Sequence, residues 1–118
     1  MAAAVAWFDI TAKDPAQIGR FYSELFGWTL SDSGQAGYSL VDTGGGEGAI
    51  GGGIGAAQGP DDPGGTTIYV KVDDLQTYLD RATSLGGSVV LPPTPLPGDF
   101  GSFALFADPE GHTIGLWG

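Results

Sequence analysis

The chain has no cysteine, one histidine and only four lysines and arginines among its 118 residues. Without cysteine it has no disulfide framework, no zinc ribbon and no thiolate nucleophile, and this composition suits a reducing compartment. The four cations face fourteen carboxylates, for a formal charge of −10. Such a charge repels phosphate backbones and anionic lipid surfaces, so neither nucleic acid nor a membrane is expected as a partner. Long apolar runs are also missing. The opening Met1-Ala2-Ala3-Ala4-Val5-Ala6 has neither the basic stretch of a signal peptide nor the length of a membrane span, and a cytoplasmic protein is expected. The acids are scattered along the chain, which reads as solubility before it reads as attraction of a cationic ligand.

What the chain does have is 42% hydrophobic residues, enough for one compact domain over residues 1–118, and an internal repeat. Shifting the sequence by 60 residues lays Trp7-Phe8-Asp9-Ile10-Thr11-Ala12-Lys13-Asp14 on Thr67-Ile68-Tyr69-Val70-Lys71-Val72-Asp73-Asp74, and Leu25-Phe26-Gly27 on Leu85-Gly86-Gly87. Phe8, Ile10 and Ala12, like Ile68, Val70 and Val72, alternate at the strand period of two and form one inward face. A helical stretch follows each run and stops at a glycine, Gly27 or Gly86. The later parts also correspond, with Tyr38–Asp42 resembling Phe103–Asp108 and Ala49-Ile50-Gly51 resembling Thr113-Ile114-Gly115. Each copy reads strand, helix, strand, strand, strand. Module one covers about 4–55 and module two about 65–118.

In the first copy, Asp14-Pro15 opens a helix running to about Phe26, with Ile18, Phe21, Tyr22 and Leu25 on one face. Strands are expected near Trp28–Asp32, Gly37–Asp42 and Ala49–Ile54. Gly55–Gly65 is rich in turn residues and links the copies. In the second copy Leu75, Tyr78, Leu79 and Ala82 form the helical stripe. Pro92–Phe100 reads as a stiff connection between strands or as a rim over a cavity mouth. The glycines at 44–48 and 51–55 do not lead into a helix, so they read as strong bending or as a close approach by another backbone or a ligand rather than as a phosphate cradle.

That order, with Gly19-Arg20-Phe21-Tyr22-Ser23-Glu24-Leu25-Phe26-Gly27-Trp28 and Asp108-Pro109-Glu110-Gly111-His112-Thr113-Ile114-Gly115-Leu116-Trp117, resembles the vicinal oxygen chelate superfamily of glyoxalases, extradiol dioxygenases and bleomycin resistance proteins. The resemblance implies an α+β fold in which two tandem βαβββ modules form a curved mixed sheet, a half-barrel with the helices outside. It also implies a homodimer. In that superfamily the concave face holds a divalent metal, and the resemblance puts its ligand positions at Trp7, Gly51, Thr67 and Gly115. Indole and glycine offer no ligand atom there, and a neutral hydroxyl is a poor one. No metal and no cofactor are therefore expected. His112 reads as a polar residue of the turn after Asp108.

If Phe8 and Ile10 face the helix, the opposite face carries Trp7, Asp9 and Thr11, and by the repeat Thr67, Tyr69 and Lys71. Trp28, Phe100, Phe103 and Trp117 are further aromatic candidates for walls, or for core. Aromatic rings with a few polar groups suit a small organic ligand. The leading reading is metal-independent binding through Trp7, Asp9, Thr67, Tyr69 and Lys71, with sequestration of a toxic or antibiotic compound as its concrete form. The alternative is a glyoxalase-like lyase or isomerase acting on a small oxygenated metabolite, with Asp9 as general base and Lys71 stabilising an oxyanion.

Overall fold

The computed structural model describes residues 2–118. They resolve into two compact units, Trp7–Thr66 in one and Thr67–Gly118 in the other, and the residues up to Ala6 belong to the second. Both units are α+β, and each contributes a mixed group of strands with one helix.

The first unit is built from β1 (Val5–Ala12) from Trp7 onward, α1 (Pro15–Phe26), β2 (Thr29–Asp32), β3 (Tyr38–Asp42) and β4 (Gly51–Ala56). Its strands lie in the order β2-β3-β4-β1, with β1 parallel to β4 and the other pairs antiparallel. Asp14 caps α1 by accepting the Gln17 N–H at 3.1 Å, and Pro15 stands at the start, where a missing N–H costs nothing. At the far end Gly27 takes φ 74° and donates its N–H to the Ser23 carbonyl at 2.8 Å. A left-handed residue here closes the last turn, and glycine does so without a Cβ penalty.

The core of this unit is Phe8, Val41 and Ile54, closed over by Ile10, Ile18, Trp28 and Leu30. The helical stripe read from the sequence is only partly inward. Ile18 packs on this core and Tyr22 stacks on Trp28 at 5.3 Å, but Phe21 and Leu25 are 55% and 58% exposed. The reason is Gly19, which is buried so close to β2 that a Cβ on it would stand 2.6 Å from Leu30 Cδ2. The helix turns its small residue to the sheet, which rotates Phe21 and Leu25 outward.

The second unit comprises β5 (Gly65–Lys71), α2 (Leu75–Ser84), β6 (Ser88–Pro95), β7 (Ser102–Ala107) and β8 (Thr113–Trp117). Its order is β5-β8-β7-β6, with β5 parallel to β8. Ala4 joins this unit by accepting the Lys71 N–H at 2.9 Å. The buried core is Val72, Leu75, Leu79, Ala104 and Leu116, so the α2 stripe faces inward as its spacing predicts.

Several expected boundaries and faces shift. Ile68 is 39% exposed, because it lies four residues before Val72, about 13 Å of extended chain away from a core centred on α2. The end of α2 does not shift: its C-cap is Leu85, and Gly86 follows with φ 104°, where the helix was expected to stop. Gly55 and Ala56 belong to β4 and Gly65 to β5, so the link between the copies is shorter than its glycines suggest. Within that link the Asp62 carboxylate accepts the Gln58 and Gly64 N–H groups at 2.8 and 2.9 Å. The proline run is strand rather than loop: β6 continues through Pro92 and Pro93 to Pro95, with register shifts on either side of Leu91. Proline lacks a ladder donor and is tolerated where pairing is irregular or at an edge, and β6 ends the strand order.

Candidate functional site

In β1 the strand alternation sends Phe8 into the core and leaves Trp7 and Asp9 on the other face, where both are half-buried. The parallel register sets Trp7 opposite Gly51, Phe8 opposite Gly52 and Asp9 opposite Gly53. Each of these glycines lies beneath an aromatic ring. A Cβ on Gly51 would come to 3.3 Å from the Trp7 ring, one on Gly52 would collide with the Phe8 ring, and one on Gly53 would collide with the Tyr38 ring and its hydroxyl. The glycines of β4 are thus close approaches, but of the protein's own aromatic side chains rather than of another backbone or a ligand.

Tyr38, which the sequence did not single out as a site residue, completes the arrangement. Its hydroxyl donates to Asp9 Oδ1 at 2.6 Å, and Trp7 Nε1 is shared between Asp9 Oδ1 and the Tyr38 oxygen at 3.3 Å each. Both donors converge on Oδ1. No buried side-chain nitrogen or oxygen among the described residues lacks a partner. Burial pushes the Asp9 carboxyl above its ordinary 3.8, and the hydrogen bonds from Tyr38 and then Trp7 offset part of that rise. The chemistry available is that of a half-buried carboxyl anchored at Oδ1, which holds its proton to higher pH than a solvated aspartate.

In the folded state Asp9 binds its proton more tightly than in the unfolded chain. Its contribution to stability is therefore complete below about pH 3.8 and is lost as the pH rises through the raised value. Asp9→Asn keeps an acceptor for Tyr38 without the charge. The variant is expected to match or exceed the parent in stability at pH 7, with the difference closing as the pH falls below about 4. Urea melts of both proteins at pH 3.5, 5 and 7 check this, and a variant deficit that persists unchanged at all three would contradict it.

The second unit carries the other expected residues. Tyr69 faces Gly115 across the parallel pair, and its ring occupies the space a Cβ on Gly115 would need. Phe103 stands 6.4 Å from Tyr69, centroid to centroid. Lys71 is exposed, and its Nζ lies 4.0 Å from the Trp117 ring centroid, a cation–π contact. Trp117 Nε1 in turn donates to the Phe100 carbonyl at 2.6 Å. Thr67 is half-buried on the same strand. Of the four further aromatic candidates, Trp28 belongs to the core, the Phe100 ring is 58% exposed, and Phe103 and Trp117 attend Tyr69 and Lys71.

The metal positions implied by the resemblance do not fit a metal. Trp7 is an indole laid over Gly51, and Gly115 lies beneath the Tyr69 ring, so in both modules an aromatic ring fills the space a ligand side chain would need. Among the described residues no group of three or more His, Asp or Glu side chains converges to hold an ion. His112 is turn chemistry: its Nδ1 lies 3.0 Å from Asp108 Oδ2, and the ring is 68% exposed. Asp108 also accepts the His112 and Glu110 N–H groups, and these bonds hold its carboxyl below the ordinary range.

Two βαβββ units with these phrases define a class, and a family model confirms it. The model of the Glyoxalase/Bleomycin resistance protein/Dioxygenase superfamily matches residues 4–116, and the chain belongs to that superfamily. Among curated proteins it is 33% identical to the anthracycline biosynthesis protein DnrV of Streptomyces peucetius, over 97% of this chain and 46% of that protein. The chain thus spans just under half the length of that relative. Among solved structures it is similar to methylmalonyl-CoA epimerase from Mycobacterium tuberculosis, with a TM-score of 0.70 and 17% identity over 96% of this chain and 85% of that one. A superfamily member from Vibrio splendidus 12B01 gives 0.64 and 12% over 98% and 97%. Both likenesses concern the fold alone. No helix among the described residues is long and apolar enough to cross a membrane.

Proposed function

We propose that the protein binds a small aromatic organic molecule without a metal, as a sequestering or carrier protein for a toxic or antibiotic compound. The observation that carries this reading is Asp9, a half-buried carboxyl whose Oδ1 is held by Tyr38 and Trp7 among aromatic rings. In the first module Trp7, Asp9 and Tyr38 are the proposed contacts. In the second they are Thr67, Tyr69 and Lys71. Aromatic faces recognise a polycyclic ligand by stacking, and the carboxylate recognises its amine or hydroxyl donors. The relative named for anthracycline biosynthesis makes such polycycles the first class to test. A charge of −10 favours those bearing an amino sugar. We include in the proposal a cytoplasmic location and pairing of two copies, the latter supported by a relative about twice this chain's length.

The test is a fluorescence titration with daunorubicin, run on protein dialysed against EDTA and on protein given zinc or nickel. Saturable binding of equal affinity in both, weakened at least tenfold in Asp9→Asn, is the expected result. Binding that requires added metal, or that ignores Asp9→Asn, would refute the reading.

A second reading, a lyase or isomerase using Asp9 as general base, draws on the raised Asp9 carboxyl. Lys71, exposed over Trp117, is not placed as a desolvated oxyanion donor. Bound ligand recovered chemically altered by the parent and intact from Asp9→Asn would favour this enzyme.

A further inference from the structure

We infer that the second unit has its own ligand cavity beneath α2, on the sheet face opposite Tyr69, and that it takes an apolar molecule with one anionic group. A space of about 420 Å³ is lined there by Val70, Phe106 and Leu116 from the strands and by Tyr78, Ala82 and Leu85 from the helix. Each strand residue is one position from the other face: Val70 follows Tyr69, and Leu116 follows Gly115. Successive strand residues point to opposite sides, so this cavity is separate from the surface that Tyr69 presents.

The core of this unit is tight at one end and open at the other. Val72, Leu75, Leu79, Ala104 and Leu116 are buried, while Val70, Tyr78 and Phe106 pack on them and remain half-open. Small-molecule sites occupy about 300–1,000 Å³, and this hollow, open to solvent beside Leu85, falls in that range. The lining is apolar except for the Tyr78 hydroxyl and the charged Arg81 and Asp108, and those two differ in what they offer. Asp108 is already engaged by His112 and by two backbone N–H groups. Arg81 lies over the Tyr78 ring at 5.6 Å, and the one ion pair among the described residues is His112 with Asp108. The cavity therefore presents an apolar body and one guanidinium with no carboxylate partner, which selects a carboxylate or sulfonate on an aromatic or aliphatic frame.

The test uses two dyes with the same apolar frame, 1-anilinonaphthalene-8-sulfonate, which is an anion, and N-phenyl-1-naphthylamine, which is neutral. The parent is expected to bind both at one saturable site per chain. Arg81→Gln, a change at an exposed position, is expected to weaken the sulfonate at least fivefold and leave the neutral dye within twofold. Ala82→Leu fills the space and is expected to abolish binding of both dyes with the melting temperature kept or raised. Asp9→Asn is expected to leave both unchanged, which separates this site from the one proposed for the first module. Equal losses of both dyes in Arg81→Gln, a loss in Asp9→Asn, or full binding in a folded Ala82→Leu would each overturn the inference.

Discussion

Gly53→Ala is expected to destabilise the protein by about 1–3 kcal/mol and to weaken ligand binding at the Asp9 site at least tenfold. The new Cβ lands on the Tyr38 ring and hydroxyl, so the ring must leave. With it goes the 2.6 Å hydrogen bond to Asp9 Oδ1. Asp9 is half-buried, and a carboxylate that loses a donor in such a place pays the desolvation the donor had offset. The mechanism is checked by a double-mutant cycle with Tyr38→Ala. Once the ring is gone the methyl group has nothing to strike, so the two changes together should cost clearly less than the sum of their separate costs. Chemical denaturation of the four proteins measures this, and simple additivity would show that Gly53 acts through something other than Tyr38.

Leu79→Ala is expected to have the larger effect on stability, a loss of about 2–5 kcal/mol. Leu79 is 1% exposed at the centre of the second unit's core, between Leu75 on its own helix and Ala104 and Leu116 on the sheet. Truncation removes the transfer free energy of the lost carbons and leaves a void that β7 and β8, hydrogen-bonded to each other, cannot close. Leu85, only six positions on and 75% exposed, provides the comparison of like with like. Leu85→Ala should change stability by no more than about 0.5 kcal/mol. Urea midpoints of the two variants side by side decide the matter, since equal costs would mean that the core is not where the structure puts it.

The sites of these two predictions differ in how far the sequence announced them. Leu79 was legible, because a helical stripe at 75, 78, 79 and 82 needs only the helix period to declare its face. Phe21 and Leu25 follow the same period and yet point outward, since the face α1 buries is set by Gly19 meeting Leu30, a contact between residues of different elements. Trp7 and Asp9 were legible from alternation along one strand. Tyr38 was not, because its place beside Asp9 depends on the register of β3 against β4 and of β4 against β1. Loops whose lengths follow no local rule set that register. The glycines of β4 were the one signal available, and they pointed to another backbone or a ligand where the structure has aromatic side chains.

The sequence by itself determined the repeat, the α+β character, the order of elements within each copy, and the lack of ligand side chains at Trp7, Gly51, Thr67 and Gly115. The first three follow from residue identity and local periodicity, and the ligand positions from the resemblance to the superfamily. Only the tertiary structure decided that the glycines at 51, 53 and 115 lie under Trp7, Tyr38 and Tyr69, that Asp9 is gripped at one oxygen, and that a second cavity opens beneath α2. Those are consequences of cross-strand register and of how a helix is rotated on a sheet, and both are fixed by packing between segments distant in the chain.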